Sequence, residues 1–392
     1  MLLAQDGHQA GDRIHEGLSN GLIQGAIIST GFRDASKLPD ILADLTKVSS
    51  DALLIFDNEF YVNAIQGADK FGMLETYPYY CHPLTKKDLV SPQKVQSLIK
   101  TALDFQISAG LKNITTPTVI IDSFNSNSET TSLSLCFGSI EYIESIKFEG
   151  DIYCSLVISE QALSNTTLLP EFLTTITALS GVKGFYIVFD KTSSVSPYWS
   201  NPATLAASMY LTNVLRQNNF DVVIGYSDGA GILQLAAGAS SISTGWWENT
   251  TNFSQDKYVR REGGRRRKKY FSQNLMNTIY VDTTIARAQA VGLLDKLMPT
   301  TNYDKDFAKA PTENVWQDKT AIWHKWAAIQ NIIASCSEGG EVKLDKVEAS
   351  IDITLGLYAL LASKGVPFDS GADSARVKTM KQAIALYKEG VV

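Results

Sequence analysis

The sequence predicts an α/β protein, a (β/α)8 barrel of the triosephosphate isomerase (TIM) type with a C-terminal α-helical extension. Eight short runs of β-branched and aromatic residues alternate with longer segments of helical periodicity, and the eighth run ends at Thr244. The runs lack the apolar–polar alternation of a half-exposed strand, which favours parallel strands covered by helices. Eight such units in about 245 residues match the size of a (β/α)8 barrel.

The predicted strands, in chain order, are Met1–Gln5, Gly25–Ser29, Ala52–Phe56, Thr118–Ile121, Ile152–Ile158, Gly184–Phe189, Asp221–Gly225 and Ser241–Thr244. Helical patterns between them cover about 37–48, 92–107, 160–179, 202–217 and 231–238. The alternation implies right-handed βαβ units. An open doubly wound sheet is the alternative, but it gives no reason for eight repeats, and no GxGxxG follows the first strand.

Four further helical stretches follow the barrel, at about 282–297, 313–336, 344–363 and 374–388. The first suits the eighth barrel helix, and the others form the extension. We therefore predict a barrel over residues 1–298, which includes a basic loop at 246–272, and an α-helical extension over 299–392.

Composition limits the class of protein. The chain has 392 residues, of which 44% are hydrophobic, which excludes a disordered protein. No apolar run approaches the ~18 residues of a membrane span, and the first residues lack a signal-peptide pattern, so we expect a cytoplasmic protein. The four cysteines form no CxxC pair, which predicts reduced thiols and argues against a thiolate zinc site.

Polar residues follow most of the predicted strands, and chemistry in this fold is carried at the C-terminal ends of the strands. Seven carboxylates stand at these strand ends, Glu160 included. About half of them are expected to cap helices, and the others to face the cavity with pKa values pushed apart, as in an acid and a base. The candidate catalytic residues are Asp6, His8, Asp57, Glu59, Asp122, Asp190 and Asp228.

The segment from Asp221 to Trp247 has small residues after the last two predicted strands. It resembles the phosphate-binding half of many (β/α)8 enzymes, in which glycines let backbone N–H groups approach the anion at a helix N-terminus. Tight packing through glycines is the structural alternative. The candidate phosphate-binding residues are Gly225, Ser227, Gly229, Gly231, Thr244 and Gly245.

A basic segment, Lys257 to Lys269, carries a net charge of +7 in a chain whose total is −6. Arginines bind phosphates and neighbouring aromatic residues stack on bases, so the segment is a candidate nucleic-acid site. A solvated surface, a protein contact or a nuclear-import signal are the alternatives. The candidate residues are Arg260, Arg261, Arg265, Arg266, Arg267, Lys268 and Lys269.

The residues present also limit which metal, cofactor and covalent chemistries the barrel could carry. Four histidines are too few for the multi-histidine metal site of an amidohydrolase barrel, and there is no zinc or nucleotide-cofactor motif. We assign no metal ligand, although carboxylates alone leave Mg²⁺ open. Lys191 stands near the position of a Schiff-base lysine, and Asp122 with Asp228 would suit a glycoside hydrolase.

The carboxylate-rich mouth beside an arginine-rich loop is distantly similar to the tRNA-guanine transglycosylase type of barrel. That resemblance implies that one aspartate attacks the anomeric carbon of a nucleotide while a second carboxylate holds the base. Asp57, Asp122, Asp190 and Asp228 are the candidates for these roles. The clustered Cys/His zinc site of that family is absent from this sequence.

The sequence-based prediction is therefore an enzyme for a phosphate-bearing substrate, a nucleotide or nucleic acid, with N-glycosyl transfer or hydrolysis as the favoured reaction. The alternatives are a non-catalytic barrel subunit of a larger assembly and a glycoside hydrolase. Expected partners are nucleic acid at 257–269 and a protein or second copy at the helical extension, with no membrane. A mouth lined by carboxylates favours an enzyme, whereas a mouth plugged by the basic loop, with carboxylates that only cap helices, favours a scaffold.

Overall fold

The protein is described from a computed structural model that covers residues 1–7, 11–191, 198–260 and 267–390. Nine parallel strands form its main sheet in the order β3-β2-β1-β9-β8-β7-β6-β4, with β5 paired to β6. Their bounds are β1 Leu2–Gln5, β2 Gly25–Ser29, β3 Leu53–Asp57, β4 Asn113–Thr115, β5 Ile120–Ile121, β6 Asp151–Ser159, β7 Gly184–Asp190, β8 Asp221–Ile224 and β9 Ser241–Thr244.

The sheet is a nearly closed, eight-stranded parallel barrel, which confirms the predicted fold class. Side chains connect its two ends, β3 and β4. Thr115 Oγ1 donates to the carbonyl of Phe56 at 2.6 Å, and Asn113 Nδ2 donates to the carbonyl of Leu54 at 3.3 Å. Asn58 Nδ2 donates in turn to the carbonyl of Thr115 at 3.2 Å. Short polar side chains thus satisfy backbone groups where the ladder ends.

The fourth barrel strand lies earlier than predicted. The sequence indicated Thr118–Ile121, whereas the barrel strand is β4 and residues 120–121 add only the two-residue β5. Pro117 cannot donate a ladder hydrogen bond, so it separates the two strands. Gln106 then fixes β4 from the preceding helix, because its side chain bonds both the N–H and the carbonyl of Thr115 at 2.8 Å.

Fourteen helices are present in the described residues. Their bounds are α1 Gly11–Ser19, α2 Leu38–Val48, α3 Lys86–Leu89, α4 Pro92–Ser108, α5 Asn127–Ile146, α6 Glu160–Leu163, α7 Leu169–Thr177, α8 Pro202–Gln217, α9 Gly231–Ala236, α10 Ala286–Ala290, α11 Lys305–Lys309, α12 Asp318–Ser335, α13 Leu344–Ser363 and α14 Ala375–Glu389. No helix in this part of the chain is long and apolar enough to span a lipid bilayer.

The chain divides into two compact units. The first comprises Met1–Ser193, Tyr210–Ser227 and Ala239–Arg261, and it contains the barrel sheet. The second comprises Ser194–Met209, Asp228–Gly238 and Glu262–Val392. The chain therefore alternates between the two units.

The second unit is built on two hairpins and the C-terminal helices. The hairpins pair β10 (Lys269–Ser272) with β11 (Asn277–Tyr280) and β12 (Ser337–Glu338) with β13 (Glu341–Val342). His324 of α12 is fully buried, and its Nε2 bonds the carbonyl of Phe271 in β10 at 2.8 Å. Trp326 on the same helix is also fully buried, as expected for core packing.

Two of the four cysteines form a disulfide. The fold packs α5 against β6, which brings Cys136 and Cys154 together with their Cα atoms 6.0 Å apart. The prediction of reduced thiols is therefore wrong for this pair, because cysteines 18 positions apart become neighbours only in the folded barrel. Cys81 and Cys336 carry free thiols.

Candidate active site at the barrel mouth

A tight turn after β3 places two carboxyl groups in the barrel mouth. Glu59 adopts a left-handed backbone conformation (φ 45°), and the Asn58 side chain accepts from the N–H of Phe60 at 3.0 Å. The turn lets the side chains of Asp57 and Glu59 both remain inside, where they are 2% and 1% exposed. A left-handed residue other than glycine is uncommon and often marks a functional site.

Asp57 is held by three tyrosines. Tyr186 of β7 and Tyr226, two residues after β8, each donate to its Oδ2 at 3.0 Å, and Tyr61 donates at 3.3 Å. Burial, with the neighbouring Glu59, raises the pKa of Asp57 to about 6 against the opposing effect of Lys257. Asp57 therefore exchanges its proton near neutral pH.

The three tyrosine hydroxyl groups remain donors. Burial, followed by the nearby carboxylate of Asp57, raises the pKa of Tyr61, Tyr186 and Tyr226 well above its ordinary value. Each hydroxyl is therefore protonated at neutral pH and stabilises negative charge on the carboxyl group.

Glu59 is the ionised partner of Asp57. Its carboxylate accepts from the N–H of Gly31 at 2.6 Å, from Thr30 and Tyr258 hydroxyls at 2.8 Å, and from the Lys257 ammonium at 3.3 Å. Burial alone would raise the pKa of Glu59, but Lys257 and the hydroxyl donors lower it below its ordinary value. The two neighbouring carboxyl groups thus have pKa values moved in opposite directions, as in an acid–base pair.

Lys257 occupies an aromatic cage. Its Nζ lies 4.4 Å from the ring centre of Tyr226, 4.7 Å from that of Tyr258 and 4.8 Å from that of Phe253. The ammonium also donates to Tyr226 Oη at 3.0 Å. Its side chain is 12% exposed. The first residue of the predicted nucleic-acid segment therefore enters the mouth and pairs with Glu59.

A second ion pair lies after β1. Arg33 donates to Asp6 through two nitrogens, Nε at 2.7 Å and Nη2 at 2.6 Å. Burial raises the pKa of Asp6, and the bidentate contact with Arg33 opposes that rise. The two charges of this pair therefore neutralise each other. His8 lies outside the described residues.

The segment after β9 covers the mouth. Gln255 donates to Asp190 from its side chain at 2.8 Å and from its backbone at 3.3 Å, and the N–H of Lys191 donates to the carbonyl of Phe253. Lys191 is buried, with its Nζ 3.5 Å from Asn252 Oδ1. The mouth is thus covered, as the scaffold alternative expected. Asp190 accepts the first N–H of the 3-10 helix Gln255–Tyr258, whereas the carboxyl groups of Asp6, Asp57 and Glu59 accept from side chains, those of Arg33, Tyr186 and Tyr258 among them.

Other candidate residues lie elsewhere. Asp122 is exposed and bonds Ser128 near the start of α5, and Glu160 is the first residue of α6. In the second unit, Asp228 pairs with Arg376 at 2.5 Å and accepts from the N–H of Ala230 at 2.7 Å. Asp122 also lines a cavity that extends to Tyr61 and Gln255.

The chain's own atoms fill the loops predicted to hold phosphate. A Cβ on Gly225 would lie 2.8 Å from Tyr186 Oη, one on Gly245 2.3 Å from Thr250 Oγ1, and one on Gly229 2.5 Å from the Met276 carbonyl. The N–H of Ser227 donates to Ser243 at 2.7 Å, and that of Gly231 to Asp228 at 3.0 Å. Thr244 is buried at the end of β9.

The described part of the basic segment also makes internal contacts. The backbone N–H of Arg260 donates to Asp69, and Arg267 forms ion pairs with Asp282 and Asp369, each at 2.8 Å. Lys268 donates to the Asn314 carbonyl at 2.9 Å, and Lys269 lies 5.4 Å from the Tyr280 ring centre. Arg261, Arg265 and Arg266 lie outside the described residues.

A cavity of about 1680 Å³ adjoins this site in the first unit. Helices α4 and α5 form its walls, and it extends to Tyr61 and Gln255. Because Tyr61 contacts Asp57 and also lines the cavity, it connects the buried carboxyl group to that space. Within residues 1–7, 11–191, 198–260 and 267–390, no three His, Cys, Asp or Glu side chains are grouped to hold a metal ion.

The tyrosines, Lys257 and Arg33 were missed as site residues from the sequence. For Tyr186 a signal existed, because it lies four positions before Asp190 in the same strand and the two-residue period puts both side chains on one face. Tyr258 and Lys257 belong to the basic segment, whose sequence pattern indicates nucleic-acid contacts instead.

Two of the solved structures that are similar to this chain are dihydrodipicolinate synthases. One is dihydrodipicolinate synthase from Bacillus clausii, which is 8% identical over 100% of this chain and 96% of that chain, with a TM-score of 0.34. Another is a monomeric dihydrodipicolinate synthase variant, 11% identical over 85% of this chain and 94% of that chain, with a TM-score of 0.33. No family model and no curated protein matches the chain.

The predicted enzyme for a phosphate-bearing nucleotide or nucleic acid is wrong. The structure supplies the physical reason, since side chains and backbone occupy the glycine loops and Lys257 and Arg267 pair with carboxylates of the chain itself. Neither alternative, glycoside hydrolase or non-catalytic subunit, is retained. Asp122 is exposed and bonds Ser128, and Asp228 is paired with Arg376.

Proposed function

We propose that the first unit is an enzyme that moves a proton to or from a carbon atom of a small organic substrate, a lyase or isomerase reaction. The observation that carries this proposal is the environment of Asp57: a buried carboxyl group with a pKa of about 6, beside an ionised Glu59 and a cation. A general base works best when its pKa lies near the working pH.

Each neighbour of Asp57 has a defined part in such a reaction. Asp57 in its ionised form takes the proton from carbon, and the hydroxyl groups of Tyr186 and Tyr226 orient it. The cation beside Glu59 lies one hydroxyl group away from Asp57 and favours negative charge that develops on the substrate. Tyr61 connects Asp57 to the adjoining cavity and gives the proton a route to solvent.

Proton exchange with solvent tests this function and does not require the substrate to be identified first. Small keto acids and amino acids are each incubated with the protein in D2O. The loss of each C–H signal is followed by proton NMR. We expect at least one compound to exchange, and D57N to slow that exchange by roughly 10²-fold or more, the usual effect of a general base.

The matched control is D51N, the same substitution at an exposed aspartate just before β3, and it should leave the rate unchanged. Exchange that is as fast in D57N as in the unmodified protein would show that Asp57 is not the base. A panel without exchange above the uncatalysed rate would overturn the function itself.

A further inference from the structure

The cage around Lys257 has the chemistry of an organic-cation site. Three aromatic rings lie within 4.8 Å of the ammonium nitrogen, and the Glu59 carboxylate lies 3.3 Å from it. Proteins bind ammonium ligands with such rings, because the negative faces of the rings attract the cation. In this protein, the chain's own lysine fills the site.

We propose that Lys257 holds the place of a substrate's ammonium group, and that the substrates of this site carry a primary ammonium group close to the carbon atom that Asp57 deprotonates. This inference rests on the proposed function, because it names the substrate class of the same site. A lysine side chain ends in a primary ammonium on a methylene chain, so the cage as observed fits a primary amine.

The position of Asp57 relative to the cage supports this class. Tyr226 Oη accepts from the caged ammonium at 3.0 Å and donates to Asp57 Oδ2 at 3.0 Å. A ligand ammonium in the same place would therefore lie one hydroxyl group away from Asp57. Its positive charge would also stabilise the carbanion that forms beside it.

Three hydrogen bonds join residues 258–260 to Asp69 and Lys70. The Tyr258 carbonyl accepts from the N–H groups of Asp69 and Lys70, both at 3.0 Å, and Asp69 Oδ1 accepts from the N–H of Arg260 at 2.8 Å. Val259 and Arg260 are exposed, whereas the barrel strands beneath are buried. Weaker contacts here would make it easier for the Lys257 side chain to leave the cage.

Binding of n-propylammonium tests the cage directly. K257A deletes four non-hydrogen side-chain atoms, and n-propylammonium has the same four atoms in the same order. We expect K257A to bind this ion at least tenfold more tightly than the unmodified protein, measured by isothermal titration calorimetry. Neutral n-propanol, of equal size, should not bind detectably, because Glu59 requires a cation. Equal affinity of both proteins for the ion, or equal binding of the alcohol, would overturn the proposal.

A second variant tests the proposal even if K257A does not fold. D69A retains Lys257 and Glu59 but removes the side-chain acceptor of the Arg260 N–H. Easier withdrawal of Lys257 should increase the apparent affinity for n-propylammonium at least threefold, since a ligand binds only the open fraction. D51A, at an exposed aspartate, is the control. Equal affinities of D69A and D51A would show that the segment does not compete with the ligand.

The D2O experiment separates this inference from the proposed function. Exchange in amino compounds, but not in the corresponding keto acids, would support both. Exchange confined to compounds without an amine would overturn the ammonium site and leave Asp57 as a base. Binding of n-propylammonium without exchange of any compound would overturn the proposed reaction and leave the cation site.

Discussion

Replacement of Asp57 by asparagine should stabilise the protein at neutral pH. The pKa of this carboxyl group is raised from 3.8 to about 6, so the folded state binds its proton more tightly than the unfolded state does. A raised pKa contributes stability below the unfolded value and loses it as the pH rises through the folded value. At pH 7.5 the ionised Asp57 therefore costs the folded protein about 3 kcal/mol, from about two pKa units at 1.36 kcal/mol each.

Asparagine removes that cost but also changes one hydrogen bond. Asp57 Oδ1 accepts from the N–H of Glu59 at 3.2 Å, and the loss of such a contact costs about 0.5–1.5 kcal/mol. We expect D57N to be more stable than the unmodified protein by about 1.5–2.5 kcal/mol at pH 7.5. Between pH 4.5 and 7.5 the difference in unfolding free energy should grow by about 2 kcal/mol, because part of the effect is already present at pH 4.5.

Urea denaturation followed by circular dichroism at pH 4.5, 6 and 7.5 measures this difference. D51N, at an exposed aspartate, should track the unmodified protein at all three values. The reasoning would be refuted if D57N were the less stable protein at pH 7.5, or if the difference did not change with pH. A gain in stability together with a loss of exchange activity is the pattern expected of a residue kept for chemistry.

Three further substitutions test the structure. K257M leaves the Glu59 carboxylate buried without its cation and should cost about 3 kcal/mol in chemical denaturation, while the double variant E59Q/K257M should recover most of that loss. T115V removes the hydroxyl bond to the Phe56 carbonyl, and the unpaired acceptor should lower the unfolding free energy by about 1–3 kcal/mol, against no change for exposed T130V. G225A places a methyl group 2.8 Å from the hydroxyl that holds Asp57, so the thermal midpoint and the proton-exchange rate should both fall; an unchanged rate would argue against a role for that hydroxyl.

Local sequence patterns were sufficient for the barrel. Seven of the eight predicted strands overlap the observed barrel strands, because parallel strands covered on both faces need apolar runs whose spacing is visible in the chain. The exception is β4, where the polar residues Asn113 and Thr115 form the strand. Its stabilising partners, Phe56 and Gln106, are distant in sequence or on another element, and a local pattern does not contain them.

The candidate site was only partly predictable. Asp57 and Glu59 stood out because carboxylates directly after a strand face the mouth of a barrel. The roles of Tyr186, Tyr226 and Lys257 depend on which side chains meet inside the barrel. Tyr186 and Tyr226 are 129 and 169 positions from Asp57, and Lys257 is 198 positions from Glu59. Glycines that looked suited to a phosphate instead make room for such contacts, since one of them packs against the Tyr186 hydroxyl.

The sequence by itself therefore determined the fold, the position of an acidic barrel mouth, and the position of a basic segment after the last barrel strand. Only the tertiary structure decided how those charges combine. An unpaired charge is unfavourable when it is buried, and the buried Glu59 carboxylate is paired with Lys257. The same burial raises the pKa of Asp57 to about 6. Composition records how many charges a chain carries, whereas their pairing and burial depend on the three-dimensional fold.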